Sequence, residues 1–189
     1  MTHISLGENC LTQDLLQRQG LTNDSSVFSY MHSNIRLINL ILADEFEHFI
    51  NNHLFYKYRD SHLELVHHNV KTRRTQASFK RKIERFQNTL KSNDIVFWYH
   101  HRERSALTLD DVFDAFEEFD QYSQNDAKYI ILRREQKTSE KRFEHTNISK
   151  FNLIKCFDDD PWKGKNYAGK TFYNHFNFLL NEYNLLNKL

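Results

Sequence analysis

The chain has 189 residues, a formal net charge of +1, a hydrophobic fraction of 39% and a charged fraction of 27%, the balance of an ordinary globular protein. So small a net charge supplies no overall field to draw in a polyanion, and nucleic acid is not an expected partner. Two distant cysteines, Cys10 and Cys156, exclude a disulfide framework and a four-ligand zinc knuckle.

No Pro/Gly/Ser-rich linker divides residues 1–189, so one α/β domain is expected, with 16 Phe and 9 Tyr supplying much of its core. The first residues lack a basic segment followed by a long apolar stretch, and no apolar run is long enough to span a bilayer. A cytoplasmic location without membrane insertion is the expectation, and no motif calls for a cofactor or a metal.

In chain order, His3 to Leu6 reads as a short buried strand closed by Gly7. Leu11, Leu15 and Leu16 then mark one face of a helix that stops at Gly20. Ser33 or Asn34 can cap a strongly apolar helix from Ile35 to Phe49. Leu54 to Tyr58 and His62 to Val70 alternate around Arg59-Asp60-Ser61, which suggests a hairpin. From Ser78 to Lys91, Phe79, Ile83 and Phe86 fall at helical spacing, and the basic residues occupy the solvated face. Ile95 to Tyr99 and Tyr129 to Leu132 are continuous apolar runs with a helix from Leu109 to Tyr122 between them, a βαβ signature. Phe151 to Phe157 is a further strand, and an aromatic-rich helix from Thr171 to about Leu186 closes the chain. This order predicts a three-layer sandwich around a mostly parallel central sheet, with the hairpin inserted or at an edge.

Open parallel sheets bind ligands beyond the carboxyl ends of their strands, where loops converge and helix N-termini point inward. Glu8, Asn9 and Cys10 follow the first strand; His100, His101, Arg102 and Arg104 follow the next long one; Arg133 and Arg134 follow the third. Asp158 to Asp160, Trp162 and Lys163 follow the last, where Pro161 marks a turn. Glu8, Asn9, His100, His101, Arg102 and Arg133 are the expected substrate-binding residues, arginine being suited to carboxylate or phosphate. Cys10 at the start of a helix is a candidate nucleophile, because the dipole there lowers a thiol pKa and free N–H groups can hold an oxyanion. Its base would come from His67-His68 or His100-His101, and since neighbours on a strand face opposite ways only one of each pair can face it. Cys156, inside an apolar strand, reads as core. An interaction module would instead expose an aromatic patch, for instance Trp162, Tyr167, Phe172 and Tyr173.

Ser5-Leu6-Gly7-Glu8-Asn9-Cys10, Gly20-Leu21 and Ser26-Val27-Phe28-Ser29-Tyr30 resemble the opening of a bacterial family labelled papain-like cysteine peptidases. In that family a serine-leucine-glycine-x-x-cysteine start precedes a proline-phenylalanine-aspartate-tryptophan element, a histidine-aspartate pair, and an arginine-rich helix before an apolar strand. Val27 to Tyr30, His68-Asn69, Arg81 to Phe86 and Ile95 to Tyr99 occupy those places. The resemblance implies Cys10 as nucleophile, His68 as base and Asn69 as its orienting partner. Ser29 and Asn69 stand where the family carries aspartate, and Asn69 beside His68 on a strand would point away from it. The label implies a helical half on a β-barrel, whereas the element order here is alternating α/β. The same opening resembles flavodoxin-like hydrolases of glycan esters, whose nucleophile is serine. The expected partner is accordingly a small-molecule, peptide or glycan substrate. A cysteine-dependent hydrolase comes first, a glycan- or sugar-phosphate-handling enzyme of surface polysaccharide synthesis second, and a non-catalytic binding protein third.

Overall fold

The computed structural model describes residues 1–8, 10–29, 31–47, 49, 57–58, 61–62, 72–102, 105–123, 127–135, 142–157 and 177, with the backbone alone at 57, 58, 61, 62, 134 and 142. Its strands are β1 (Thr2–Ser5), β2 (Lys57–Tyr58), β3 (Ser61–His62), β4 (Ile95–His101), β5 (Lys128–Arg134), β6 (Arg142–Ile148) and β7 (Phe151–Phe157). Its helices are α1 (Leu11–Arg18), α2 (Ile35–Ala43), α3 (Arg73–Thr89) and α4 (Leu109–Phe119), the last running into a 3-10 turn, Asp120–Tyr122.

Five strands form one sheet in the order β1-β4-β5-β7-β6, parallel except for the antiparallel β6–β7 pair. Every residue of β4 is buried, as its unbroken apolar run requires of a central strand covered on both faces. Alternation then sorts the core into two layers. Val96 and Trp98 of β4, Ile130 and Leu132 of β5, and Ile154 and Cys156 of β7 pack with Leu11, Leu15 and Leu16 of α1. Phe97, Tyr99, Tyr129, Ile131 and Leu153 pack with α2, α3 and α4 on the opposite face. The architecture is the expected three-layer α/β sandwich with a mostly parallel sheet.

Several boundaries differ from the sequence expectation for identifiable reasons. Asn34 does cap α2, its side chain accepting from the Leu37 N–H, but the helix ends at Ala43 because Glu45 and Phe46 take positive φ values of 52° and 66°. α3 starts at Arg73, five residues before Ser78: its first turn carries no apolar residue, and Thr72 caps it through the Thr75 N–H. α4 opens with a capping box between Thr108 and Asp111. The antiparallel edge of the main sheet is β6, an element the sequence reading did not contain; β2 and β3 pair in a separate hairpin, with Ser61 in a strand. The rest of that hairpin and the expected helix from Thr171 lie outside the described residues. Among the described residues no helix is long and apolar enough to cross a membrane.

Candidate functional site

β1 leaves the sheet through Gly7, at φ +88°, a conformation that favours glycine. Space makes the same demand: a Cβ there would stand 2.8 Å from Ser33 Oγ and 3.0 Å from the Phe28 carbonyl oxygen. The turn is thereby seated on the segment that leads into α2. Glu8 follows, 3% exposed, and its carboxylate is held from β4 and the loop beyond it. Glu8 Oε1 accepts from the Tyr99 hydroxyl at 2.5 Å and the Ser105 hydroxyl at 2.7 Å, and Oε2 accepts from the Arg102 backbone N–H at 2.7 Å. Burial raises the Glu8 pKa, opposed by these three hydrogen bonds and by the Arg102 charge. Burial and the neighbouring Glu8 also push the Tyr99 hydroxyl well above its ordinary value.

Cys10, partly exposed, stands at the N-cap of α1, and its carbonyl accepts from the Asp14 N–H at 3.0 Å. Its thiol makes no capping hydrogen bond to the helix. The first-turn N–H groups beyond it have no acceptor within the helix, as at any helix start. Behind the turn a buried hydroxyl chain ties α1 to β1 and to the loop between α1 and α2: Ser5 Oγ lies 2.6 Å from Thr12 Oγ1, Ser26 Oγ donates to the Ser5 carbonyl at 2.5 Å, and Ser29 Oγ donates to Gln13 Oε1 at 2.6 Å. Ser29, where the resembled family carries aspartate, therefore sits in this framework.

The sheet divides the remaining candidates. His101 follows Phe97 and Tyr99 onto the α4 face, where its Nε2 lies 2.9 Å from the Leu107 carbonyl oxygen. A carbonyl only accepts, so Nε2 carries the proton, and Nδ1, 3.4 Å from Arg133 Nη1, is the acceptor. Burial lowers the His101 pKa and the Arg133 charge adds to it, against a raising hydrogen bond to Leu107. Arg133 is also paired to Glu135 at 3.2 Å. This line of groups holds the ends of β4 and β5 together, in keeping with the His101↔Arg133 register. His100 follows Val96 and Trp98 onto the α1 face, the side on which Cys10 packs, and its backbone N–H lies 3.5 Å from the Gly7 carbonyl oxygen. His3, on that same face, accepts from Trp98 Nε1 at 3.0 Å, and burial lowers its pKa.

Compared with known proteins, the chain matches no family model, no curated protein and no solved structure. The structure brings Glu8, Arg102, His101 and Arg133 to the carboxyl end of the sheet on or above the α4 face, and Cys10 and His100 to the α1 face. Asn9, His67, His68, Asn69, Arg104, Asp158 to Asp160, Trp162, Lys163, Tyr167, Phe172 and Tyr173 lie outside the described residues, and for Arg134 only the backbone is described. Cys156 is fully buried in β7, as expected of a core residue.

Tyr99 and Ser105, the donors to Glu8, are site residues that the sequence reading lacked. The available signal was a tyrosine inside a fully apolar strand, since a buried hydroxyl needs a partner. A cleft of about 120 Å³ lies elsewhere, between the outer edge of β1 and α3, where Lys82 and Arg85 stand beside Thr2 and His3. Arg85 is paired to Asp24 at 3.1 Å across that cleft, and none of the predicted site residues lines it.

Proposed function

We propose that the protein is a cysteine-dependent hydrolase or acyl transferase with Cys10 as its nucleophile. The observation that carries this reading is the placement of a partly exposed cysteine at the N-cap of α1, beyond the carboxyl end of β1 and next to the anchored Glu8 turn. A helix start favours thiolate over thiol and offers N–H groups to a developing oxyanion. The resemblance gives the base role to His68, with Asn69 beside it. Among the described histidines, His100 shares the α1 face with Cys10, whereas His101 is committed to Leu107 and Arg133.

In the reaction the imidazole takes the thiol proton and the thiolate adds to the carbonyl carbon of an ester or amide. The tetrahedral oxyanion then collapses, and the leaving group departs with the proton from the imidazolium. Water, or an acceptor hydroxyl, cleaves the thioester and regenerates the thiol. Acyl groups on peptides and on the glycans of surface polysaccharide synthesis are the two substrate classes for this chemistry, in a reducing, cytoplasmic setting. Asn9, Arg102 and Arg133 are the proposed substrate contacts of this reaction.

Iodoacetamide labelling across pH 5 to 9 tests the nucleophile, with buried Cys156 as the internal control. Cys10 should label fast with a midpoint well below the free-thiol value of about 8.5. Turnover of an acyl-ester panel should fall at least about 10³-fold in Cys10→Ser. Labelling of Cys10 no faster than Cys156, or full turnover in Cys10→Ser, overturns the proposal.

A further inference from the structure

The Glu8 carboxylate is the most heavily bonded buried acid at the carboxyl end of the described sheet. It lies two residues from Cys10, yet its three donors all belong to β4 and the loop after it: Tyr99 and Ser105 through their hydroxyls, Arg102 through its backbone N–H. The turn between β1 and α1 is short and is fixed at two points, by the close fit of Gly7 against Ser33 and Phe28 and by this carboxylate. The Gly7 contact sets where the turn leaves the sheet. The Glu8 contacts set how it crosses the end of β4, and so where the first turn of α1 and Cys10 come to rest relative to His100.

We infer that Glu8 is a positioning residue for Cys10, holding the turn that carries the thiol to the end of β4 through Tyr99, Ser105 and Arg102. The inference rests on the cysteine reading above and assigns Glu8 no contact with the reacting atoms. An ionised carboxylate raises the pKa of a nearby thiol, so a charge effect and a positioning effect have opposite signs. Loss of the charge alone moves the thiol midpoint slightly down. Loss of the anchor moves it up towards the free-thiol value, because the helix start and the histidine no longer hold their places around sulfur.

The charged and titratable groups that face Glu8 are Tyr99 and Arg102, with His100 and His101 adjoining on β4 and the Cys10 thiol in the next turn. Ser105→Ala removes one anchor from a partly exposed side chain, Tyr99→Phe removes another while keeping the ring, and Glu8→Gln keeps an oxygen that can accept from both hydroxyls without the charge. Iodoacetamide labelling of Cys10 across pH 5 to 9 is measured in each variant beside a thermal melt. The midpoint should rise by about one pH unit in Tyr99→Phe and by less in Ser105→Ala, with cooperative melts, and should stay low in Glu8→Gln. Midpoints unmoved in folded Tyr99→Phe and Ser105→Ala, with fast wild-type labelling, overturn the positioning role alone. Slow labelling of Cys10 in the wild type overturns the cysteine reading and this inference with it. Should Tyr99→Phe fail to fold, Ser105→Ala decides by the same criterion.

Discussion

The two ends of the sheet use the same bond for different purposes. At the carboxyl end the Tyr99 hydroxyl donates to Glu8 at 2.5 Å, and at the amino end the Tyr129 hydroxyl donates to Asp120 at the same distance. Asp120 also receives Lys150 Nζ at 2.6 Å, and Lys150 reaches Glu117 at 3.2 Å while lying over the Tyr129 and Phe151 rings. Burial works to lower the Lys150 pKa, but hydrogen bonds and charges from Asp120 and Glu117 outweigh it, and the net shift is upward. Glu8 has three direct donors, all neutral, and is nearly sealed from solvent, so burial leaves its pKa raised despite them. An acid matched by a cation at a partly open surface fastens the turn into β7. An acid enclosed among neutral donors fastens a turn that carries a thiol, and burial holds its pKa above the ordinary carboxylate value.

The largest expected effect lies at the enclosed end. Glu8→Ala leaves the buried Tyr99 hydroxyl and the partly buried Ser105 hydroxyl and Arg102 N–H without their acceptor, and at about 1 kcal/mol for the buried group and less for each of the others the loss is about 2 kcal/mol in urea denaturation. A loss below about 1 kcal/mol would show that water replaces the carboxylate, and the contrast between the two ends would collapse. The pH dependence sharpens it. A folded pKa raised above the unfolded value near 4.3 means the native state holds the proton longer, so the Glu8 contribution is fully present below that unfolded value and is lost as pH rises through the folded one. Wild type should therefore lose stability relative to Glu8→Gln as pH rises above about 4.

At the open end the expected effect is smaller. Lys150 and Asp120 are 26% and 32% exposed, and screening limits Lys150→Met to about 1 kcal/mol. The raised Lys150 pKa puts its contribution fully in place below the unfolded value near 10.4 and removes it as pH climbs through the folded one. Wild type and Lys150→Met should thus differ at pH 8 and converge in strongly alkaline urea melts. A difference that persists there would assign the effect to the Lys150 stem packed on Tyr129 and Phe151.

Much of this frame was legible in the sequence. Continuous apolar runs announced β4, β5 and β7, because strands covered on both faces admit few polar residues. β6 was not legible: Arg142-Phe-Glu-His-Thr-Asn-Ile148 is an edge strand with Glu144, Thr146, Asn147 and Ile148 exposed, and polar edges carry no burial signal. At the site, strand alternation showed that His100 and His101 must diverge, but which of them shares a face with α1 depends on where that helix packs. Glu8 was marked by its position after a strand. Its donors stand 91 and 97 positions along the chain, a separation that local patterns do not span.

The smallest expected effect concerns Ser33, whose hydroxyl is buried against the Gly7 turn with no hydrogen-bond partner among the described residues. A buried hydroxyl without a partner costs about 1 kcal/mol relative to an apolar atom of the same size. Ser33→Ala keeps the Cβ and removes that oxygen, so it should stabilise the fold by up to about 1 kcal/mol in urea and leave the seating of Gly7 intact. A loss of stability would mean that the hydroxyl is paired through water in solution. Stabilisation together with slower turnover would place Ser33 in contact with bound substrate, on the α2 side of the turn that Glu8 anchors from β4.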